Sequence, residues 1–252
     1  MYAIEAKGLT KYFYKDKGVL ELLKHPIRKV RITALNNVEI KVKYGELYGL
    51  LGLNGAGKTT LLKILSTMFI PDSGQAHVDG IDIMKNPDDV KSSIGLVYGE
   101  ERSFNWRLTG RQNLEFFASL YNISHKGMKD YIDYLLKIVG LKDKADFRFD
   151  SYSTGMKHRL AIARGLLGNP KILLMDEPTL GVDPIGKEAI QNLIIDLVKK
   201  EGKTVLLVTH DLEEAKKVCD RVAIIDKGRI LTEIDNAKGK DLGMIFKRVI
   251  KG

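Results

Sequence analysis

Gly52-Leu53-Asn54-Gly55-Ala56-Gly57-Lys58-Thr59-Thr60 is the stretch of sequence that decides the fold. It matches the pattern G-x-x-x-x-G-K-[ST] at every fixed position. It follows an apolar run that predicts a strand at 46–51, and it opens an apolar stretch that predicts a helix from about Lys58 to Met68. Glycines in such a loop let backbone N–H groups turn inward around phosphates, and the helix points its positive end at them. The sequence therefore predicts a nucleotide site.

Each position in this loop has an expected task. Lys58 is expected to reach the β- and γ-phosphates, Thr59 to offer its hydroxyl to Mg²⁺, and Thr60 to steady the α-phosphate. The residues predicted to bind the nucleotide here are Asn54, Gly55, Ala56, Gly57, Lys58, Thr59 and Thr60.

Two carboxylates end the apolar strand predicted at 171–175, in the stretch Ile172-Leu173-Leu174-Met175-Asp176-Glu177. The carboxyl edge of a parallel sheet is where such folds bind ligands, so Asp176 is expected to hold Mg²⁺ there. Glu177 is expected to point the other way along the pleat and to orient or deprotonate the attacking water. His210 follows another predicted strand, 205–209, where its side chain would reach the γ-phosphate.

Composition bounds the class of protein. The chain has 252 residues, 44% of them hydrophobic, which suits one large α/β unit. No apolar run is long enough for a membrane span, and the N-terminus lacks the layout of a signal peptide. The lone Cys219 rules out an intrachain disulfide and suits a reducing cytosol.

The net charge of +9 is concentrated in two segments, 15–31 and 238–252, while the rest of the chain is close to neutral. No basic stripe is interleaved with aromatic residues, so binding to nucleic acid is not expected. Solvated charge or contact with an anionic membrane face remain the alternatives for these two segments.

Strands alternate with helices along most of the chain, which predicts a mostly parallel sheet covered on both faces. From about residue 100 to 167 the apolar spacing becomes helical instead. We expect one domain over 1–252, with a core at 1–99 and 168–252 and a helical subdomain at about 100–167. The fold class is α/β, of the phosphate-loop NTPase type.

The whole set of motifs resembles the ATP-binding subunit of an ABC transporter. The resemblance rests on the phosphate loop, the signature Tyr152-Ser153-Thr154-Gly155-Met156, the acids Asp176 and Glu177, the D-loop Leu180-Gly181-Val182-Asp183 and the switch residue His210, in the family's order. It implies ATP and Mg²⁺ as cofactors, catalysis by Glu177, His210 and Lys58, and an antiparallel N-terminal β portion.

The resemblance also implies partners. Two such subunits, identical or different, close head-to-tail, so that Ser153, Gly155 and Asp183 of one would contact the ATP held by the other. Phe13 is the implied aromatic that stacks on adenine; its neighbour Tyr12 and a plain core role are the alternatives.

The chain departs from the family where a glutamine usually senses Mg²⁺ and the membrane partner, after the strand at 94–97. Tyr98-Gly99-Glu100-Glu101-Arg102 stands there, so Glu100 is the nearest equivalent, and the resemblance implies a role for it as a metal ligand. The long first loop, with its insertion around 19–32, resembles the subset that serves ABC-2-type exporters. Trp106 lies where the helical part would meet the membrane subunit, with core packing as the alternative.

With the motifs, the resemblance implies a Mg²⁺-dependent ATPase subunit that dimerises on ATP and drives a separate membrane permease from the cytoplasmic face of the cell membrane. Its likeness to the ABC-2-type subset implies an exporter. The alternative is a soluble ABC-type ATPase that serves another assembly, such as cofactor biogenesis. A nucleotide-binding regulator with little turnover is disfavoured by the intact Glu177 and His210.

Overall fold

The computed structural model describes residues 1–15, 30–99, 103–124 and 126–251. The strands are β1 (Tyr2–Lys15), β2 (Val30–Lys43), β3 (Leu47–Leu51), β4 (Ser73–Val78), β5 (Ile81–Asp82), β6 (Ile94–Tyr98), β7 (Ile172–Asp176), β8 (Thr204–Thr209), β9 (Arg221–Asp226) and β10 (Arg229–Asp235). The α-helices are α1 (Lys58–Leu65), α2 (Pro87–Ser93), α3 (Gly110–Leu120), α4 (Met128–Ile138), α5 (Thr154–Gly165), α6 (Pro184–Lys199), α7 (Leu212–Val218) and α8 (Leu242–Lys251).

A six-stranded sheet in the order β10-β9-β3-β8-β7-β6 forms the centre of the molecule. All of its neighbouring strands are parallel except β10, which pairs antiparallel with β9. Leu47 and Leu51 of β3 belong to one apolar cluster and Tyr48 and Leu50 to another, because successive side chains of a strand point to opposite faces. Both faces of the sheet are therefore buried, which explains why its strands read as nearly continuous apolar runs.

A second sheet, in the order β2-β1-β4-β5, is antiparallel throughout. Its apolar residues share one cluster with α1 and with the strands of the central sheet, as Ile4, Leu9 and Leu62 show. The prediction of a mostly parallel α/β core with an antiparallel N-terminal β portion is confirmed.

Helices α3, α4 and α5 lie between β6 and β7 in the sequence and pack in the apolar cluster that contains Leu47 and Leu51. Thr109 begins α3 with a reciprocal cap, in which its hydroxyl accepts from the backbone N–H of Gln112 while that side chain accepts from the N–H of Thr109. Among the described residues, no helix combines the length and the apolar content that crossing a membrane requires.

Several boundaries differ from those predicted. Helix α1 ends at Leu65, not near Met68, because Thr67 adopts a left-handed φ of 63°. The sequence pattern predicts strands over 4–9 and 38–42, but β1 and β2 are much longer, since each pairs along nearly its whole length with the other. β10 was not predicted at all; it follows β9 through a turn at Lys227 and Gly228, both with positive φ.

Candidate active site

The phosphate loop connects the buried strand β3 to the first turn of α1. Gly57, just before the helix, has a φ of 107°, and a Cβ there would lie 2.5 Å from the carbonyl oxygen of Ala34. The loop is tied to the β9–β10 turn by a hydrogen bond of 2.9 Å from the N–H of Gly228 to the carbonyl of Ala56. Only glycine fits position 57, so the loop's shape depends on the motif.

Lys58 is buried, and its ammonium lies within the loop. Nζ donates to the carbonyl oxygens of Gly52 at 2.8 Å and Leu53 at 3.2 Å, and it lies 3.8 Å from Oε1 of Glu177. Burial lowers the pKa of this ammonium, while the nearby carboxylates of Glu177 and Asp176 oppose that shift. An ammonium held in this way is positioned to contact the phosphates of a nucleotide.

Thr59 and Asp176 meet across the end of the sheet. The Thr59 hydroxyl donates to Oδ2 of Asp176 at 2.8 Å. Oδ1 of Asp176 is buried and has no hydrogen-bond partner in the part of the chain that the structure describes. Burial, above all, raises the pKa of this carboxyl. A hydroxyl and a buried carboxylate oxygen left without a donor are the ligands that Mg²⁺ prefers, so these two residues fit that ion.

Glu177 departs from the predicted geometry. β7 ends at Asp176, and Glu177 takes a left-handed φ of 52°, so the expectation that it points the other way along the pleat is wrong. Its N–H donates to the carbonyl of Val208 at 2.9 Å, which fixes the turn to the neighbouring strand. The turn brings its carboxylate to the imidazole of His210, whose Nδ1 lies 2.9 Å from both oxygens.

Lys58, Thr59 and Glu177 line one cleft at the carboxyl end of the central strands, and Asp176 and His210 contact these lining residues. It is lined by Ile32, Thr33, Ala34, Asn54, Gly55, Gly57, Lys58, Thr59, Thr60 and Glu177. The site thus combines the backbone N–H groups at the start of α1, the buried ammonium of Lys58 and a hydroxyl–carboxylate pair that suits a metal ion. It also has a carboxylate that an imidazole contacts. Such a set of groups can bind a nucleoside triphosphate and orient a water molecule for attack on its terminal phosphate.

Phe13 lies beside this cleft without lining it. It pairs with Ile32 across β1 and β2, so the two side chains stand on the same face. Its ring packs edge-on against Phe69, with ring centroids 5.6 Å apart. Tyr12, the alternative, lies under the guanidinium of Arg31 at 4.3 Å. The assignment of Phe13 to adenine stays a prediction.

Ser153, Gly155 and Asp183 are brought together elsewhere, and none of them lines the cleft. Ser153 is the exposed N-cap of α5, where its Oγ accepts from the N–H of Met156 at 3.2 Å. Gly155 packs on the D-loop, since a Cβ there would lie 3.3 Å from a methyl group of Val182. Asp183 is the N-cap of α6. Their contact with ATP stays a prediction.

Glu100, the residue nearest to the usual glutamine, lies outside the described residues. Trp106 is 55% exposed, so the alternative that it packs in the core is wrong. Cys219 is buried.

Sequence reasoning missed two buried polar residues next to the site. His158 in α5 contacts the carbonyl of Pro178, and Glu214 in α7 accepts from the Thr179 hydroxyl at 2.7 Å. No sequence motif marks either residue. The only available signal was a polar residue on an apolar helix face, because such a residue needs a hydrogen-bond partner when it is buried.

Comparison with known proteins gives consistent matches. The family model described as ABC transporter matches residues 35–180. The ABC transporter ATP-binding protein NatA of Bacillus subtilis is 35% identical, over 89% of this chain and 94% of the relative. The bacitracin transport ATP-binding protein BcrA of Bacillus licheniformis is 41% identical, over 80% of this chain and 64% of the relative. The chain thus spans less than two thirds of that second relative.

Two solved structures are similar over most of the chain. One is a dimeric ATP-binding cassette in a post-hydrolysis state bound to ADP and phosphate, with a TM-score of 0.75 and 28% identity over 92% of this chain and 98% of that one. The other is CbiO1 from Clostridium perfringens, part of a transporter complex, with a TM-score of 0.80 and 27% identity over 99% of this chain and 92% of that one.

Proposed function

We propose that this chain, which belongs to the ABC transporter family, couples its ATPase activity to export through a separate membrane permease. It is an ATP-binding and ATP-hydrolysing subunit with ATP and Mg²⁺ as its cofactors, and it works as a dimer. The observation that carries the proposal is the meeting of Lys58, Glu177 and His210 at one cleft.

The chemistry is a displacement at the γ-phosphate. The oxygen of a water bonds to phosphorus, the bond to the β–γ bridging oxygen breaks, and the water's proton passes to the carboxylate of Glu177. Nδ1–H of His210 holds that carboxylate in place, since both of its oxygens lie within hydrogen-bond distance. Lys58 stabilises the charge that develops on the transferred group.

Thr59 and Asp176, which share a hydrogen bond, are the residues that would hold Mg²⁺. The ion held there would supply positive charge that offsets the negative charge of the phosphates. The buried position of Asp176 keeps its carboxylate fixed for this role.

The second half of each site comes from the other subunit of the dimer. Ser153 is exposed at the start of α5, and its hydroxyl and the backbone N–H of Gly155 would donate to the γ-phosphate of the ATP held by the partner, aided by the positive end of the helix. The subunit partner is identical or closely related in structure, and Asp183 belongs to the same face.

We place the subunit in the cytoplasm, on the inner face of the cell membrane. Support for export comes from a relative named for it, the Nod factor export ATP-binding protein I of Rhizobium sp.. The exposed Trp106 supplies an aromatic side chain for contact with the permease.

Replacing the proposed base tests the mechanism. Glu177→Gln keeps the size and the contact with His210 but removes the proton acceptor, so ATP turnover should fall by about a hundredfold or more. ATP-bound dimers should persist and be visible by size-exclusion chromatography. Glu188→Gln, at an exposed carboxylate on α6, is the matched control. Normal turnover in Glu177→Gln would remove Glu177 from the mechanism.

Co-purification tests the transport role. Tagged protein isolated in detergent from its own membranes should bring along a multi-span protein that changes its ATPase rate. A soluble partner and full activity in the membrane-free fraction would instead support the assembly of a cofactor or another soluble complex.

A further inference from the structure

His158 lies in the interior of α5 and is almost fully buried. Its Nδ1 is 2.5 Å from the carbonyl oxygen of Pro178. Because a carbonyl only accepts, the imidazole donates this hydrogen bond. Pro178 directly follows Glu177, so the bond joins the signature helix to the turn that carries the proposed base.

One face of α5 lies along the chain from Pro178 to Gly186. Gly155 and His158 are three residues apart and therefore lie on the same face of the helix. Gly155 faces Val182 and Gly186, and a Cβ at its position would lie 3.3 Å and 3.6 Å from them. The helix thus contacts the chain from the turn after Glu177 to the start of α6.

The turn is held from its other side as well. The hydroxyl of Thr179 donates to Oε1 of Glu214, which is only 1% exposed. Glu214 belongs to the first turn of α7, and that helix begins next to His210. The two residues after Glu177 are consequently fixed between α5 and the segment that carries the switch histidine.

Glu177 itself needs such support. Its left-handed φ of 52° is a conformation that non-glycine residues keep only when their surroundings impose it. A shift of the next peptide unit would change the direction of its carboxylate relative to His210 and Lys58.

We propose that His158 is a positioning residue: its hydrogen bond to Pro178 sets the Glu177 carboxylate according to the position of α5. This rests on the proposed role of Glu177 as the base. Ser153 at the start of the same helix faces the partner's ATP, so α5 links the occupancy of that site to the base of its own chain.

Three variants of similar size separate the hydrogen bond from packing. His158→Met removes the donor, His158→Gln restores an N–H donor on the side chain, and His77→Met, in β4 of the antiparallel sheet, controls for the substitution itself. Measured quantities are kcat and KM for ATP, the melting temperature and ATP-dependent dimerisation.

We expect kcat of His158→Met to fall by about 10- to 100-fold, because small displacements of catalytic groups have effects of that size. KM for ATP should stay within about twofold, since His158 does not line the cleft. His158→Gln should recover most of the rate, and His77→Met should equal the unmodified protein. Should the Met variant not fold, His158→Leu takes its place.

The Glu177→Gln background supplies a second readout. There His158→Met should leave the residual single-turnover rate unchanged, since the group that it positions is gone. Unchanged kcat in His158→Met, equal losses in the Met and Gln variants, or equal losses in both backgrounds would overturn the proposal. If Glu177→Gln itself turns over normally, the assignment of the base fails, and this inference fails with it.

Discussion

The cleft face and the signature face of this chain satisfy their polar groups in different ways. At the cleft the partners are far apart in sequence: Thr59 bonds to Asp176, 117 residues away, and Glu177 to His210, 33 residues away. At the signature face Ser153 and Asp183 are exposed, and each accepts from backbone N–H groups two or three residues further along its own helix start.

The difference shows which half of the site the fold can complete by itself. The cleft is assembled by tertiary structure: the buried Lys58 lies near the half-buried Glu177 of the same chain, and Glu177 also contacts the exposed His210. The signature face is preformed by local capping and faces outward, so its helix start has N–H groups to offer to a second molecule. One chain therefore carries two incomplete halves of different character, which a dimer would join.

Mixing two defective variants is the most severe test of whether each site is divided between two chains. Lys58→Ala should abolish ATP turnover by removing the buried cation, and Ser153→Ala should lower it by about a hundredfold through loss of a donor. In a mixed dimer the intact cleft of one chain meets the intact signature of the other. We therefore expect the mixture to recover ATPase activity that neither variant shows alone.

The rate is measured in each pure variant and in the mixture at equal total concentration. Ser151→Ala, at the end of the short helical turn before the signature, is the matched control and should keep its activity. A mixture no more active than its components, or a Ser153→Ala protein with normal turnover, would contradict the division of the site between two chains.

Local motifs predicted most of the cleft from the sequence. The phosphate loop has a fixed spacing, and Asp176 and His210 come at the ends of apolar strands, so parallel strands had to bring them to the same edge. β10 was missed because only its Ile234 is buried, so it has no apolar run, although it pairs with the adjacent strand β9. α8 was missed because its apolar residues pack on a core built from segments distant in sequence.

The direction of Glu177 could not be predicted, because it depends on a backbone conformation and not on residue type. A strand that continued through position 177 would have turned its side chain away from His210. The left-handed turn is imposed by neighbours such as Val208 and Gly99, where a Cβ would lie 2.1 Å from the carbonyl oxygen of Glu177. The bond between His158 and Pro178 is equally invisible in the sequence, since it joins residues from two separate elements.

A milder effect is expected when the cap of the signature face is removed. The carboxylate of Asp183 accepts from the N–H groups of Ile185 at 3.1 Å and Gly186 at 2.9 Å. Asp183→Ala should lower the free energy of unfolding by about 0.5–2 kcal/mol, while Asp183→Asn keeps the cap and most of the stability. Urea unfolding of the three proteins measures this, and equal losses in both variants would show that the charge matters more than the cap.

The smallest effect concerns the buried carboxyl of Glu214, whose pKa is raised above its ordinary value of 4.5 by burial. The folded state keeps this proton to a higher pH than the unfolded chain does. Its contribution to stability is therefore present below about pH 4.5 and is lost as the pH rises through the folded-state pKa.

Glu214→Gln removes the ionisation but keeps an acceptor oxygen for Thr179. Its melting temperature relative to the unmodified protein should accordingly increase between pH 4.5 and pH 8, by a few degrees if the difference is about 1 kcal/mol. Glu213→Gln, at the exposed neighbouring position, removes the same charge from the surface and is the control. A difference in melting temperature that stays constant with pH would mean that the carboxyl of Glu214 ionises as easily in the folded protein as in the unfolded chain, and that its hydrogen bonds outweigh its burial.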